Sequence, residues 1–209
     1  MDWEAWHAAY DDPSSPLAAR LGLVRLRLSE AIDRARPGPV RLVSLCAGQG
    51  RDVIGVLPGH PRRGDVHAVL VEADPSLAEA ARGAAAEAGL AQVEVREADA
   101  AVVANFADAL PADVLLLCGI FGNVSEEDIK RTIEASAAMC TPGATVIWTR
   151  HRLPPDLTPQ VRAWFAASGF SELAFDAPES STLIGLGANR LRRAATAGLP
   201  DRLLFSFRR

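Results

Sequence analysis

The chain has 209 residues, 49% of them apolar, and a formal net charge of −4. That length suits one domain with a sizeable core, and no apolar run nears the roughly 18 residues that a membrane span needs. The charge balance leaves no electrostatic footprint for nucleic acid, and the acidic, aromatic start Met1-Asp2-Trp3-Glu4 is unlike the basic start of a signal peptide.

In chain order, Trp3, Trp6 and Tyr10 recur at one helical face ahead of Asp11-Asp12-Pro13. They are read either as an N-terminal helix packed on the body or, with His7, as a lid over a ligand. Ser14 or Ser15 is placed to cap the next helix, with Pro16 in its first turn. Leu17, Leu21, Val24, Leu28 and Ile32 mark an apolar stripe that ends before Pro37-Gly38-Pro39. Residues 1–37 are therefore expected to form a helical cap or lid, and residues 38–209 an α/β core, within one domain over 1–209.

From there strands and helices alternate. A β-rich run, Arg41 to Leu45, enters the small residues Cys46-Ala47-Gly48-Gln49-Gly50, and a helix-like stretch with Val53, Ile54, Val56 and Leu57 follows. Glycines in such a strand-to-helix turn allow positive φ and let amide N–H groups approach a ligand. The second strand, Val66 to Val71, stops at Glu72-Ala73-Asp74-Pro75, and an alanine-rich helix then runs to Ala88 with Gly89 as its C′ residue. Val93 to Glu97 is a third strand, followed by a short helix around Ala101 to Leu110. The continuous apolar run Asp113 to Cys118 reads as a central strand covered on both faces. Ser125-x-x-Asp128 opens a helix to Met139 as a capping box. Ala144 to Thr149 is a fifth strand, Thr158 to Ser168 a helix closed by Gly169, and Phe170 to Asp176 and Leu203 to Phe207 the last strands. The alternation implies a doubly wound, mainly parallel sheet, whose ligands sit outside the carboxyl ends of the strands.

Those strand ends carry chemistry. Glu72 lies about 20 residues beyond the glycine turn, the spacing at which a carboxylate meets a ribose diol. Asp99, in Glu97-Ala98-Asp99-Ala100, can accept from an exocyclic adenine amine while the small Ala100 leaves room for the ring. The alternatives are ordinary: Glu72 as an acid at a helix start, and Asp99 as an N-cap.

Together V-S-L-C-A-G-Q-G, V-L-V-E-A-D-P, R-E-A-D-A and D-V-L-L-L-C-G-I-F-G-N-V resemble the ordered motifs of class I S-adenosylmethionine-dependent methyltransferases, over Arg41 to Thr149. The resemblance implies a seven-stranded, mainly parallel sheet with a final antiparallel strand, and S-adenosylmethionine as cofactor. It places Cys46, Ala47, Gly48 and Gly50 at the methionine part, Glu72 and Ala73 at the ribose, Asp99 and Ala100 at the adenine, and Cys118 and Gly119 beside them. Ser44 and Cys46 depart from the acid and the first glycine of the family's turn; Cys46 is small enough for an ordinary φ, on which footing the turn survives. A nicotinamide dinucleotide fits less well, because Val53 stands where the third glycine is required.

Acceptor groups are expected after the fourth and fifth strands. Phe121 is placed near the sulfonium, where an aromatic face attracts cationic charge. Asn123 is placed to orient an acceptor, Tyr10 to complete the site, and His151 to act as general base. Arg150 and Arg152, with Arg162, are candidates for an acceptor carboxylate or phosphate, or form a solvated charged edge. Arg20 or Arg51 is placed to pair with the cofactor's carboxylate. Cys118-Gly119-Ile120-Phe121 stands where amine-modifying nucleic-acid methyltransferases carry an acid-Pro-Pro-aromatic signature, which favours a small-molecule acceptor. Cys46, Cys118 and Cys140 show no paired short spacing, which suits a reduced cytoplasm and neither a disulfide framework nor a zinc site. The competing reading is a non-catalytic cofactor-binding protein, or a wholly non-catalytic scaffold, that keeps the fold.

Overall fold

The computed structural model describes residues 9–12, 14–193, 198–201 and 203–208. Trp3, Trp6 and His7 lie outside them. A 3-10 turn at Ala9–Asp11 precedes α1 (Pro16–Arg34), whose N-cap Ser15 accepts a hydrogen bond from Ala18 N and which carries Pro16 in its first turn. The following strands are β1 (Val40–Leu45), β2 (Val66–Glu72), β3 (Val93–Glu97), β4 (Ala112–Leu117), β5 (Cys140–Arg150), β6 (Phe170–Asp176) and β7 (Gly185–Leu191). Between them run α2 (Val53–Val56), α3 (Pro75–Glu87), α4 (Glu126–Met139) and α5 (Thr158–Ala167).

The strands form one seven-stranded sheet in the order β3-β2-β1-β4-β5-β7-β6. All pairings are parallel except β5 with β7 and β7 with β6. Alternation along the strands divides the core into two layers. Leu42, Val114, Leu116 and Ile147 face α1, α2 and α3 through Val24, Leu28, Ile32, Val53, Ile54 and Ala81. Val43, Leu45, Leu115, Leu117 and Trp148 face the other way, toward Ile129 and Ile133 of α4 and Val161 and Phe165 of α5. The sheet reverses its winding between β1 and β4, so the carboxyl ends of these two strands flank the switch point where α/β folds bind ligands.

Three elements differ from the sequence reading. The stretch after Ala101 forms two short 3-10 turns, Val103–Asn105 and Ala107–Ala109, rather than one helix. The fifth strand starts at Cys140, four residues early, because Ala112 pairs with Cys140 across a register shift in the β4–β5 ladder. Most consequentially, the closing antiparallel strand is Gly185–Leu191, not Leu203–Phe207. G-L-G-A-N-R-L lacks the β-branched residues that mark strands, but its glycines meet a packing demand. A Cβ on Gly187 would lie 2.3 Å from Trp148 Cε2, and one on Gly185 2.9 Å from the Arg150 carbonyl oxygen. Leu203 to Phe207 instead crosses the sheet's carboxyl edge as a tail. Leu204 N donates to Ala101 O, Arg131 Nε to Leu203 O and Leu204 O, and Phe207 bridges Val124.

Trp148 fixes the antiparallel corner: it is fully buried, stacks on Phe165 at 5.9 Å, and donates its indole N–H to Asn189 Oδ1 at 2.8 Å. Gly187→Ala forces a methyl into that indole, so chemical denaturation is expected to show a loss of about 1–3 kcal/mol. An unchanged midpoint would mean that the corner repacks freely.

Candidate active site

The turn after β1 is held open from beneath. Ala47 N donates to Val71 O, Gly50 N to Ala47 O, and Ile54 N to Gly50 O. Cys46, Gly48 and Gly50 all have positive φ, at 54°, 56° and 65°. For Gly50 the need is also steric, since a Cβ would lie 2.7 Å from Leu70 Cδ2. The ordinary φ expected at Cys46 is therefore corrected: a cysteine takes the left-handed conformation at the family's first-glycine position, which costs a non-glycine residue about 1–2 kcal/mol.

Glu72 ties the turn to the end of β2. Its carboxylate, 9% exposed at the end of β2, accepts from Gly48 N at 2.7 Å through one oxygen and from Asp74 N at 2.9 Å through the other. Asp99 stands one strand over, reached through the Ala98 N to Glu72 O hydrogen bond. It is exposed, one oxygen accepts from Ala101 N, and its backbone carbonyl accepts from Asn105 Nδ2. Part of the N-cap alternative thus holds for Asp99. The Cys46 thiol senses both carboxylates: burial raises its pKa, and the negative charges of Glu72 and then Asp99 raise it further. The glycine turn, Glu72 and Asp99 accordingly lie close together at the carboxyl edge of the sheet, with Ala73 exposed after Glu72 and Ala100 buried after Asp99.

A second polar group lies on the other side of the turn, and sequence reasoning missed its centre. Asp52, 8% exposed, follows Gly50-Arg51 and accepts from Val53 N at 2.8 Å. Burial pushes its pKa up, opposed by that hydrogen bond and by the charges of Arg25 and Arg20. Tyr10 and Cys118 both interact electrostatically with Asp52. Tyr10 accepts from Arg20 Nη2 at 2.8 Å, and the Arg51 guanidinium lies 5.6 Å over its ring. Arg51 also pairs with Asp11 at 2.6 Å, while Arg25 reaches across Gly55 to donate to Arg51 O. An acid directly after a glycine turn, flanked by arginines at 20, 25 and 51, is the signal that would have found it.

The acceptor rim is formed by residues after β4 and β5. Gly119 N donates to Thr149 Oγ1 at 2.9 Å, and Asn123 Nδ2 donates to Gly119 O at 2.8 Å, closing the loop on itself. Phe121 does not face this rim. It is fully buried and packs 6.1 Å from Trp148, because the short loop turns its ring inward and its carbonyl outward. Arg150 Nη1 donates to that carbonyl. Arg152 and Arg162 are taken up within the protein, Arg162 as part of an exposed charged edge. Arg152 donates to the carbonyls of Ile184, Pro178 and Ser181, and Arg162 pairs with Glu172 over the Phe175 ring. His151 lies against Gly122, and its Nδ1 accepts from Leu153 N at 3.3 Å. Burial and then the neighbouring Arg150 charge lower its pKa, opposed by a Gly122 backbone hydrogen bond and Asp156. It is therefore neutral at pH 7. Among the described residues no group of three His, Cys, Asp or Glu side chains is disposed to hold a metal, and no helix is long and apolar enough to cross a membrane.

With this geometry the fold is that of the class I S-adenosylmethionine-dependent methyltransferases. An O-methyltransferase family protein from Burkholderia thailandensis superposes over 93% of this chain and 62% of its own, with a TM-score of 0.68 and 19% identity. The magnesium protoporphyrin IX methyltransferase of Synechocystis PCC 6803, crystallised with S-adenosylmethionine, matches over 91% of both chains at a TM-score of 0.69 and 11% identity. An RNA methyltransferase from Salinibacter ruber in complex with S-adenosyl-L-homocysteine matches over 86% of this chain and 96% of its own, at a TM-score of 0.55 and 21% identity. The chain thus spans less than two thirds of the Burkholderia protein but nearly all of the other two. No protein-family model matches the chain, and no curated protein matches it in sequence.

Asp52 yields a stability test. A carboxyl whose folded pKa lies above its unfolded value of about 3.9 favours the folded state at low pH, and that contribution is lost as pH rises through the folded pKa. Asp52→Asn keeps the acceptor for Val53 N but removes the buried charge. Its stability relative to the parent is expected to increase from acidic to neutral pH in urea denaturation; a gap that stays constant with pH would show that Asp52 is not buried as a charge.

Proposed function

We propose that this protein is an S-adenosylmethionine-dependent methyltransferase acting at oxygen or nitrogen of a small molecule. The observation that supports the reading is that the positive-φ turn, Glu72 and Asp99 lie close together at the carboxyl edge of the sheet. The residues there fit the cofactor group by group. Each oxygen of Glu72 accepts one backbone N–H and keeps a lone pair for a ribose hydroxyl. The second oxygen of Asp99 suits the adenine amine, above Ala100. Cys46, Ala47, Gly48 and Gly50 border the methionine part, with Cys118 and Gly119 across the switch point. Asp52 offers a buried negative charge to the methionine ammonium, and Arg20 a positive one for its carboxylate.

When bound, the cofactor supplies a methyl on a sulfonium, ready for in-line displacement. The protein's part is positioning and exclusion of water, with a base only where the nucleophile must lose a proton. Tyr10 stands at the mouth, Asn123 steadies the loop beneath the acceptor, and neutral His151 is in the right protonation state to take a proton. The alternative of a wholly non-catalytic scaffold draws support from the Cys46 thiol, which occupies space that glycine leaves open.

Calorimetric titration with S-adenosylhomocysteine tests the cofactor assignment. Glu72→Ala is expected to weaken binding at least tenfold, an energy of about 1.4 kcal/mol; equal affinity in the variant would remove the ribose placement, and absence of binding to the parent would favour the scaffold. Turnover against phenols, amines and carboxylates then separates enzyme from scaffold. In such an assay His151→Ala is expected to lower kcat by about 10²-fold, and the parent rate to fall as pH drops through a pKa below about 6.5. Full activity in the variant would dispose of the base.

A further inference from the structure

Most arginines in this chain are engaged. Arg27 holds Asp176, Arg96 holds Glu94 and Asp108, Arg162 holds Glu172, and Arg62 reaches backbone carbonyls on both sides of Ala35. Arg190, Arg192 and Arg193 depart from this pattern. Among the described residues no hydrogen bond or ion pair engages their guanidinium groups, and all three are exposed. Local composition is one cause, since the chain has no acidic residue between Glu179 and Asp201. Acids brought near by the fold are already used. Glu172, opposite Asn189 in the β6–β7 ladder, is taken by Arg162, and Asp113 near the start of β4 accepts from Arg41 N and Thr141 Oγ1.

These arginines are not spread over a flat surface. Arg190 and Arg192 line a cavity of about 460 Å³, open to solvent, with Pro142, Gly143, Ser171 and Leu191. Its volume falls within the roughly 300–1,000 Å³ of small-molecule sites. Arg190 pairs with Thr145 of β5 and Ser171 of β6, at the amino edge of the sheet. Thr145 and Arg150 stand at opposite ends of the β5–β7 ladder, about 17 Å of strand apart, so this site is remote from the carboxyl edge. The opening has a cause in the ladder. Ala112 pairs with Cys140 and Val114 with Thr145, which puts Thr141 to Ala144 out of regular register. Gly143 in that stretch has a φ of 90° and leaves Arg190 uncovered; a Cβ there would lie 3.5 Å from Arg190 Nη2. Arg36, just beyond α1, donates to Pro142 O and adds positive charge beside the cavity.

Arg190 and Arg192, two residues apart at the end of β7, fall on the same side of the sheet and repel each other until an anion lies between them. One carboxylate is satisfied by one guanidinium fork. A phosphoryl group, with three acceptor oxygens and up to two charges, answers more of the donors present. We propose that this cavity binds a phosphorylated small molecule, two adjacent phosphoryl groups meeting Arg190 and Arg192, at a site separate from the carboxyl edge. The proposal does not rest on the methyltransferase reading. A nucleic-acid backbone calls for a basic stripe, whereas this is one concave cluster on a chain of net charge −4.

Calorimetric titration of the full chain with pyrophosphate tests the site, at physiological ionic strength so that diffuse attraction is screened. Wild type is compared with Arg190→Gln/Arg192→Gln and with Arg63→Gln/Arg82→Gln, which removes the same charge elsewhere on the surface. The first variant is expected to lose at least tenfold in pyrophosphate affinity, and the second to stay within about threefold of wild type. If the strand substitution disturbs folding, Arg192→Gln alone, just past β7, is expected to lose about threefold or more. Absence of pyrophosphate binding by wild type, or equal losses in the two double variants, overturns the proposal. Inorganic phosphate that binds as tightly as pyrophosphate overturns the two-phosphoryl site. A single-stranded oligonucleotide that binds wild type more tightly than pyrophosphate, and loses that affinity with Arg190 and Arg192, assigns the cluster to nucleic acid instead. Titration with S-adenosylhomocysteine, with and without pyrophosphate, separates the two ends of the sheet. Unchanged nucleoside affinity supports a separate site, and competition overturns it. A wild type that binds pyrophosphate but no nucleoside defeats the methyltransferase reading and leaves this site standing.

Discussion

One carboxylate organises the ligand edge. Glu72 ends β2 and joins two backbone segments that otherwise have no reason to approach: the turn after β1, through Gly48 N–H, and the start of α3, through Asp74 N–H. Charge-assisted bonds of this kind are the stronger class, and here both are nearly shielded from water. The turn needs such support because three of its five small residues lie at positive φ, one of them a cysteine. With Ser44 in β1 carrying no charge, the negative charge at this turn comes from Glu72 on the neighbouring strand. The group that orders the turn is also the one proposed to meet the ribose, so on that reading structure and ligand contact are coupled in one side chain.

On the opposite side of the turn the arrangement is of another kind. Asp52 is buried with its charge only partly offset by Arg20 and Arg25, a state that raises its pKa and stores unfavourable energy. Tyr10 and Asp11 are drawn onto this region by Arg20 and Arg51. A ligand cation placed beside Asp52 relieves the same penalty that burial imposes. The two sides thus differ in what they lack: Glu72 is satisfied by backbone and keeps spare lone pairs, whereas Asp52 wants a counter-charge.

Much of this was legible in the sequence, because the signals were local. Alternating strands and helices, the caps at Ser15 and Ser125, and Glu72 and Asp99 at strand ends all follow from short-range patterns. What escaped depended on partners far along the chain. Gly185 and Gly187 look like strand breakers until Trp148 and the Arg150 carbonyl are set against them, so the closing strand was placed at Leu203 to Phe207, whose alternating apolar residues fit a strand better. Phe121 reads as a rim aromatic, yet its ring fills the core beside Trp148 while only its carbonyl reaches the rim. Asp52 went unread because a single acid after a glycine turn is ambiguous until α1 brings two arginines to it.

The excess of arginine over lysine is compositional in origin, but the fold makes use of it. Arg25, Arg36, Arg62, Arg131 and Arg152 all donate to backbone carbonyls, and Arg62 alone reaches those of Ile32, Ala35, Arg36 and Gly38. A planar guanidinium tethers several carbonyls at once with fixed geometry, which an ammonium does less well. In this way loops without regular structure are tied to the sheet: Arg131 holds the C-terminal tail, and Arg152 the segment before β7. Arg150 makes one contact of this kind, from Nη1 to the Phe121 carbonyl, whereas Arg152, two residues on, makes three.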